Sequence, residues 1–137
     1  GAQLHNVRPS TMRLLLTLPL VFFSLTAQAI DCSKAITTPD INACASADQK
    51  KVETKLNTIY RRVIKSLDQP DTELEKFSEM KSTLIEAQRA WVKFREADCT
   101  AVFTLHASGT IRTAMYIGCM QSHAERRIKD LEDYEKQ

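Results

Sequence analysis

Cys99, His106, Cys119 and His123 are spaced C-x6-H-x12-C-x3-H and supply the thiolates and imidazoles that a tetrahedral zinc site uses. On a helix, Cys119 and His123 stand one turn apart, so both can face one ion. The first half of the spacing departs from common zinc motifs, and the same two sulfurs can instead bond to each other. With Cys32 and Cys44 the chain has four cysteines, an even count that allows three pairings. Short sequence separation favours Cys32 with Cys44 and Cys99 with Cys119, and each such loop is worth about 3 kcal/mol on a chain-entropy estimate. The expectation is therefore two disulfides, with no metal and no cofactor.

Catalytic constellations are sparse. His106 near Ser108 puts a base and a hydroxyl close in sequence, without an orienting carboxylate or an oxyanion hole. Glu75 and Glu79, one turn apart, have the spacing of an acid–base pair and equally that of a solvated helix face; a thin helical hairpin offers such a pair no concave pocket. G-x-S-x-G, H-x-x-x-H and glycine-rich phosphate loops are all missing, so the chain is not expected to be an enzyme.

The stretch Leu84 to Cys99 mixes polar and apolar groups on one helical stripe: Leu84 and Trp91 recur at seven, and Gln88, Arg95 and Cys99 join at steps of four. Trp91 packs between helices, and Arg95 lays its stem along the ring while its fork reaches Asp98 or a carboxylate on another helix. Gln88, Trp91, Arg95 and Asp98 thus form a clasp that fixes helix register. Presented outward instead, Trp91 and Arg95 would make a protein interface. Tyr60 borders the apolar stripe of the preceding helix, and Asn57, a poor helix former, predicts a side-chain contact across to the next one.

The elements that must position these groups follow from an N-terminal leader. Met12 and Arg13 precede an apolar run from Leu14 to Leu25 and Ala27-Gln28-Ala29, a signal-peptidase pattern; the run is too short for a membrane span. Residues 12–29 read as a signal peptide, 1–11 as upstream sequence, and 30–137 as one domain, periplasmic or secreted. Asp31 before Cys32 argues against a lipid anchor. Cleavage removes Arg8 and Arg13, so 17 basic residues face 17 acidic ones. A neutral domain with interspersed signs excludes a nucleic-acid footprint and stable membrane attachment.

Within that domain, Thr38-Pro39-Asp40 predicts a helix start with Thr38 as cap. Ile41, Ala45, Val52, Leu56, Ile59, Val63 and Leu67 continue as one apolar stripe until Asp68-Gln69-Pro70-Asp71 turns the chain. A second helix is expected from Asp71 or Thr72, carrying Leu74, Phe77, Leu84, Trp91, Cys99 and Val102. His106-Ala107-Ser108-Gly109 breaks it. Thr110 caps a third helix with Ile111, Ala114, Met115, Gly118, Cys119, Ile128 and Leu131. No segment alternates as a strand does, so the fold class is all-α: a long antiparallel hairpin with the third helix packed back on it.

Asp31-Cys32, Asn42-x-Cys44-Ala45, Leu56-Asn57-x-x-Tyr60, Leu84-x-x-Ala87-Gln88-x-Ala90-Trp91-x-x-Phe94-Arg95-x-x-x-Cys99, Gly109, Cys119, Arg127 and Leu131 together resemble the small exported family named after the N-terminal domain of the mycobacterial lysozyme inhibitor lipoprotein LprI. The resemblance spans most of residues 31–131 and implies a helical, disulfide-bearing exported domain. It further implies a protein-binding module whose partner is a lysozyme or another envelope protein. His106, Ser108, Gly109 and Thr110, the longest polar break, are the expected contacting loop. The alternative is a non-inhibitory structural or interaction protein of the cell envelope.

Overall fold

The computed structural model describes residues 1–2 and 29–136. The upstream segment 1–11 and the leader 12–29 fall, apart from their outermost residues, outside the described residues. A 3-10 turn, Cys32–Lys34, leads into three helices: α1 (Thr38–Ser66), α2 (Phe77–Leu105) and α3 (Arg112–Tyr134). There is no strand among the described residues, and the all-α class stands. Both expected disulfides are present, Cys32–Cys44 tying the 3-10 turn to α1 and Cys99–Cys119 tying α2 to α3.

The helix starts depart from the expected positions for local reasons. Thr37, one residue earlier than expected, caps α1: its hydroxyl oxygen accepts the Asp40 amide at 3.2 Å, and its hydroxyl donates to the Asp40 carboxylate at 2.6 Å. Pro39 still falls within the first turn, where its missing N–H costs nothing. α2 begins at Phe77, not at Asp71 or Thr72. Thr72 and Glu75 close a turn on each other, and Asp71 reaches forward to accept the Ser78 amide at 2.9 Å and its hydroxyl at 2.6 Å. Asp71 thus satisfies a free amide of the first turn from seven residues upstream. Leu74, assigned to the buried stripe, is consequently 95% exposed. Thr110 does not cap α3, which starts at Arg112 without a side-chain cap.

The core is a seam between α1 and α3. Leu56, Ile59 and Val63 meet Ala124, Ile128 and Leu131, joined by Leu84 of α2, with Val52, Tyr60, Ile64, Leu67 and Trp91 packed at the edges. Arg62 pairs with Glu135 and Lys55 with Glu132, so α1 and α3 run in the same direction. Asp98 meets His123 and Gln88 meets Arg127, so α2 runs against α3. The third helix does pack back on α2, but its more extensive partner is α1, and the two helices of the expected hairpin touch each other sparsely. The buried pattern explains this hierarchy. α3 has the widest inward face, Ile117, Met120, Ala124, Ile128 and Leu131, whereas α2 buries only Leu84, Arg95 and Cys99. Gly118 is exposed, with open space where a Cβ would stand, so it serves no close helix approach.

Candidate functional site

The inner face of α2 carries a row of directional contacts. Gln88 accepts from Arg127 Nε of α3 at 2.9 Å. One turn on, Trp91 is half-buried against the core, and the Arg95 guanidinium lies 4.5 Å from its ring centroid. Arg95 itself is buried and donates to Glu53 of α1 at 2.5 Å. Asp98 then meets the buried His123 at 2.6 Å, while Phe94 sets its ring edge-on to that imidazole, centroids 5.5 Å apart. The Cys99–Cys119 bridge closes the row.

Steps of three and four along one helix explain the alignment, because they return to the same face. The expected set is thereby brought together: Gln88, Trp91, Arg95 and Asp98 all face neighbouring helices. Arg95 pairs with a carboxylate of another helix instead of Asp98, whose partner is His123. Two buried donors, Arg95 Nε and Arg127 Nη2, lack a hydrogen-bond partner among the described residues. Such groups cost free energy in a dry interior, so the row fixes geometry at some expense in stability.

Other expected residues lie elsewhere. Asn57 is exposed and makes no side-chain hydrogen bond among the described residues; its position follows the buried Leu56 by 100° and points outward. Tyr60 packs at the edge of the core, as its place beside the stripe predicts. Of the four spaced metal-ligand candidates, Cys99, Cys119 and His123 come within 4.8 Å of one another, while His106 does not join them. The His106 imidazole is held by the Val102 carbonyl at 2.9 Å, so it is not paired with Ser108. Glu75 precedes α2, which removes the one-turn relation to Glu79, yet both line a groove of about 600 Å³ with Phe77, Met80, Leu67 and Tyr134. A concave surface therefore exists where none was expected; more than half of its lining is apolar, and Lys76 and Ser66 join the two glutamates among its polar groups.

Glu53 and the role of His123 as partner of Asp98 were missed. Their signal was present in part: Cys119, His123 and Arg127 recur at four on an otherwise apolar face of α3, and polar residues in such a row demand partners.

The connection between α2 and α3 has a different character. Between Asp98 and Glu125 no acidic residue occurs, and Arg112 is the sole Lys or Arg. Its guanidinium stacks over Phe103 at 5.1 Å and donates to the Ala107 carbonyl at 3.3 Å, while Phe103 also meets Tyr116 edge-on. Leu105 is 80% and Ile111 54% exposed beside it, with Met115 partly exposed, and Ser108, Gly109 and Thr110 form the exposed turn. This connection presents exposed apolar side chains and one positioned cation.

The family model described as lysozyme inhibitor LprI matches residues 31–131. An uncharacterized protein of Rhizobium meliloti (strain 1021) is 28% identical over 107 residues, covering 75% of this chain and 77% of that protein. No solved structure matches.

Proposed function

From the premise that the chain belongs to the lysozyme inhibitor LprI family, we propose that it is an exported, non-catalytic module that inhibits a lysozyme or another cell-wall hydrolase by inserting its α2–α3 end into the enzyme's cleft. The observation that carries this reading is the apolar α2–α3 connection around Arg112, a segment without acidic residues. Glycoside hydrolases keep a pair of carboxylates in a cleft, and an arginine held on Phe103, in a connection that also exposes Leu105, Ile111 and Met115, offers those carboxylates a partner beside apolar side chains that exclude water. Local charge does the recognising; the neutral domain supplies no long-range steering, so slow association is expected. The paired cysteines suit export into an oxidising compartment. Among the described residues no helix is long and apolar enough to cross a membrane.

The test is peptidoglycan lysis by lysozymes of several types with the purified chain added. Stoichiometric inhibition and a calorimetric complex are expected. Leu105→Asp and Arg112→Glu should each weaken binding about 10- to 100-fold, equivalent to about 1.4–2.8 kcal/mol, with the helical circular dichroism unchanged. Unchanged lysis at stoichiometric excess, with no complex, would sink the inhibitory reading and leave the chain as a non-inhibitory interaction protein of the envelope.

A further inference from the structure

The Cys99–Cys119 bridge has a neighbourhood that a mere staple does not need. A ring nitrogen of the buried His123 lies within 4.8 Å of both sulfurs. His123 is itself held by Asp98, whose carboxylate oxygen sits 2.6 Å from Nε2. That pairing favours the tautomer with the proton on Nε2, leaving Nδ1 with a free lone pair, and it orients the ring. Histidines that ligate metals are set in this way, with the second nitrogen donating to a carboxylate. Two sulfurs and one oriented imidazole are three protein donors of a zinc site that leaves its fourth position to water.

We propose that Cys99, Cys119 and His123 form a redox-gated site for zinc or a similarly soft divalent cation, silent while the bridge is intact and opened by reduction. A dithiol reductant supplies two electrons and two protons. The Cys99–Cys119 S–S bond breaks, the reductant's own S–S bond forms, and two protein thiols result. Binding of the divalent ion then releases both thiol protons to solvent. In tetrahedral geometry with metal–sulfur bonds of about 2.3 Å, the sulfurs stand roughly 3.8 Å apart. The Cα atoms of the two cysteines are 5.6 Å apart, so rotation about the Cα–Cβ bonds reaches this separation without moving the helices. Asp98 acts as a positioning residue, and water takes the fourth place. Metal binding at this site would require no inhibitory activity, so the two are tested separately.

Cobalt(II) is the probe, since it accepts the same tetrahedral sulfur–nitrogen donors and reports thiolate binding by its absorption. The protein carries Cys32→Ser and Cys44→Ser, to remove the other thiol source, and is reduced without oxygen. Expected are one equivalent of cobalt bound with a thiolate charge-transfer band, displacement by zinc, retained helical circular dichroism, and no binding by the oxidised protein. Asp98→Asn should weaken zinc about 10- to 100-fold, and His123→Ala should weaken it further. The proposal is overturned by absence of the charge-transfer band at excess cobalt or by cobalt binding equally to the oxidised protein. Unchanged affinity in either variant, or helix loss on reduction that the metal does not reverse, overturns it as well.

Discussion

The two seams against α3 are built on opposite plans. Toward α1, the helix buries Ala124, Ile128 and Leu131 against Leu56, Ile59 and Val63, a continuous apolar contact. Toward α2, it makes discrete contacts: Arg127 with Gln88, His123 with Asp98, and one covalent bond. Burial is non-directional and proportional to area, so the first seam supplies stability. Hydrogen bonds give little net stability but have narrow geometry. The second seam therefore sets where α2 sits, and through α2 the placement of the α2–α3 end.

Breaking the dry seam should cost most. Leu131→Ala, at a side chain with no exposed surface, is expected to lower unfolding free energy by about 4 kcal/mol, from lost transfer energy plus the cavity left behind. Urea denaturation followed by circular dichroism measures it. A loss below about 1 kcal/mol would mean that α3 is not the centre of the core.

Next comes the covalent contact of the other seam. Cys99→Ser with Cys119→Ser should cost about 3 kcal/mol, chiefly by freeing the unfolded chain, while the native helical signal persists. Amide exchange would sharpen the contrast: faster exchange confined to α2 and the start of α3 is expected, with the α1/α3 seam still protected.

Gln88→Ala removes one acceptor from Arg127, which already holds an unpaired buried nitrogen. The expected cost is about 1–2 kcal/mol. Replacing both partners, Gln88→Leu with Arg127→Met, should recover much of it, because two apolar groups leave nothing unsatisfied. A double mutant no more stable than Gln88→Ala would show that the row contributes more than register.

The smallest effect belongs to the charged rim of the dry seam. Hydrogen bonds from Arg62 hold the Glu135 carboxyl below its ordinary value of 4.5. A depressed folded value stabilises the native state above the unfolded one and loses that contribution as pH falls through the folded value. Glu135→Gln should therefore trail the parent slightly above pH 4.5 and converge with it in stronger acid. The pair is exposed, so salt should shrink the gap.

Much of this architecture is legible in sequence because its causes are local. The period of Leu56, Ile59 and Val63 needs only helical geometry, and the cysteine pairs only short separations. The start of α2 was hidden because its surrogate cap, Asp71, acts across seven residues, beyond the range of ordinary capping signals. Choice of neighbour was hidden for another reason. α3 reads as a modest apolar stripe until His123 and Arg127 are counted as inward-facing, and only their partners on α2 justify counting them so. Glu53 is the same case on α1: a carboxylate at the edge of a stripe looks solvated until Arg95 arrives from 42 residues away.

The direction of the helices has a mechanical consequence. α1 and α3 lie side by side and run the same way, so the start of one and the end of the other are at opposite poles of the seam. Tension applied to the chain at Cys32 and Tyr134 would slide the two helices lengthwise past each other. In that loading Leu56, Ile59, Val63 and their counterparts resist together instead of parting one at a time. A protein tethered at both ends in this manner yields at higher force than one peeled open from a single edge.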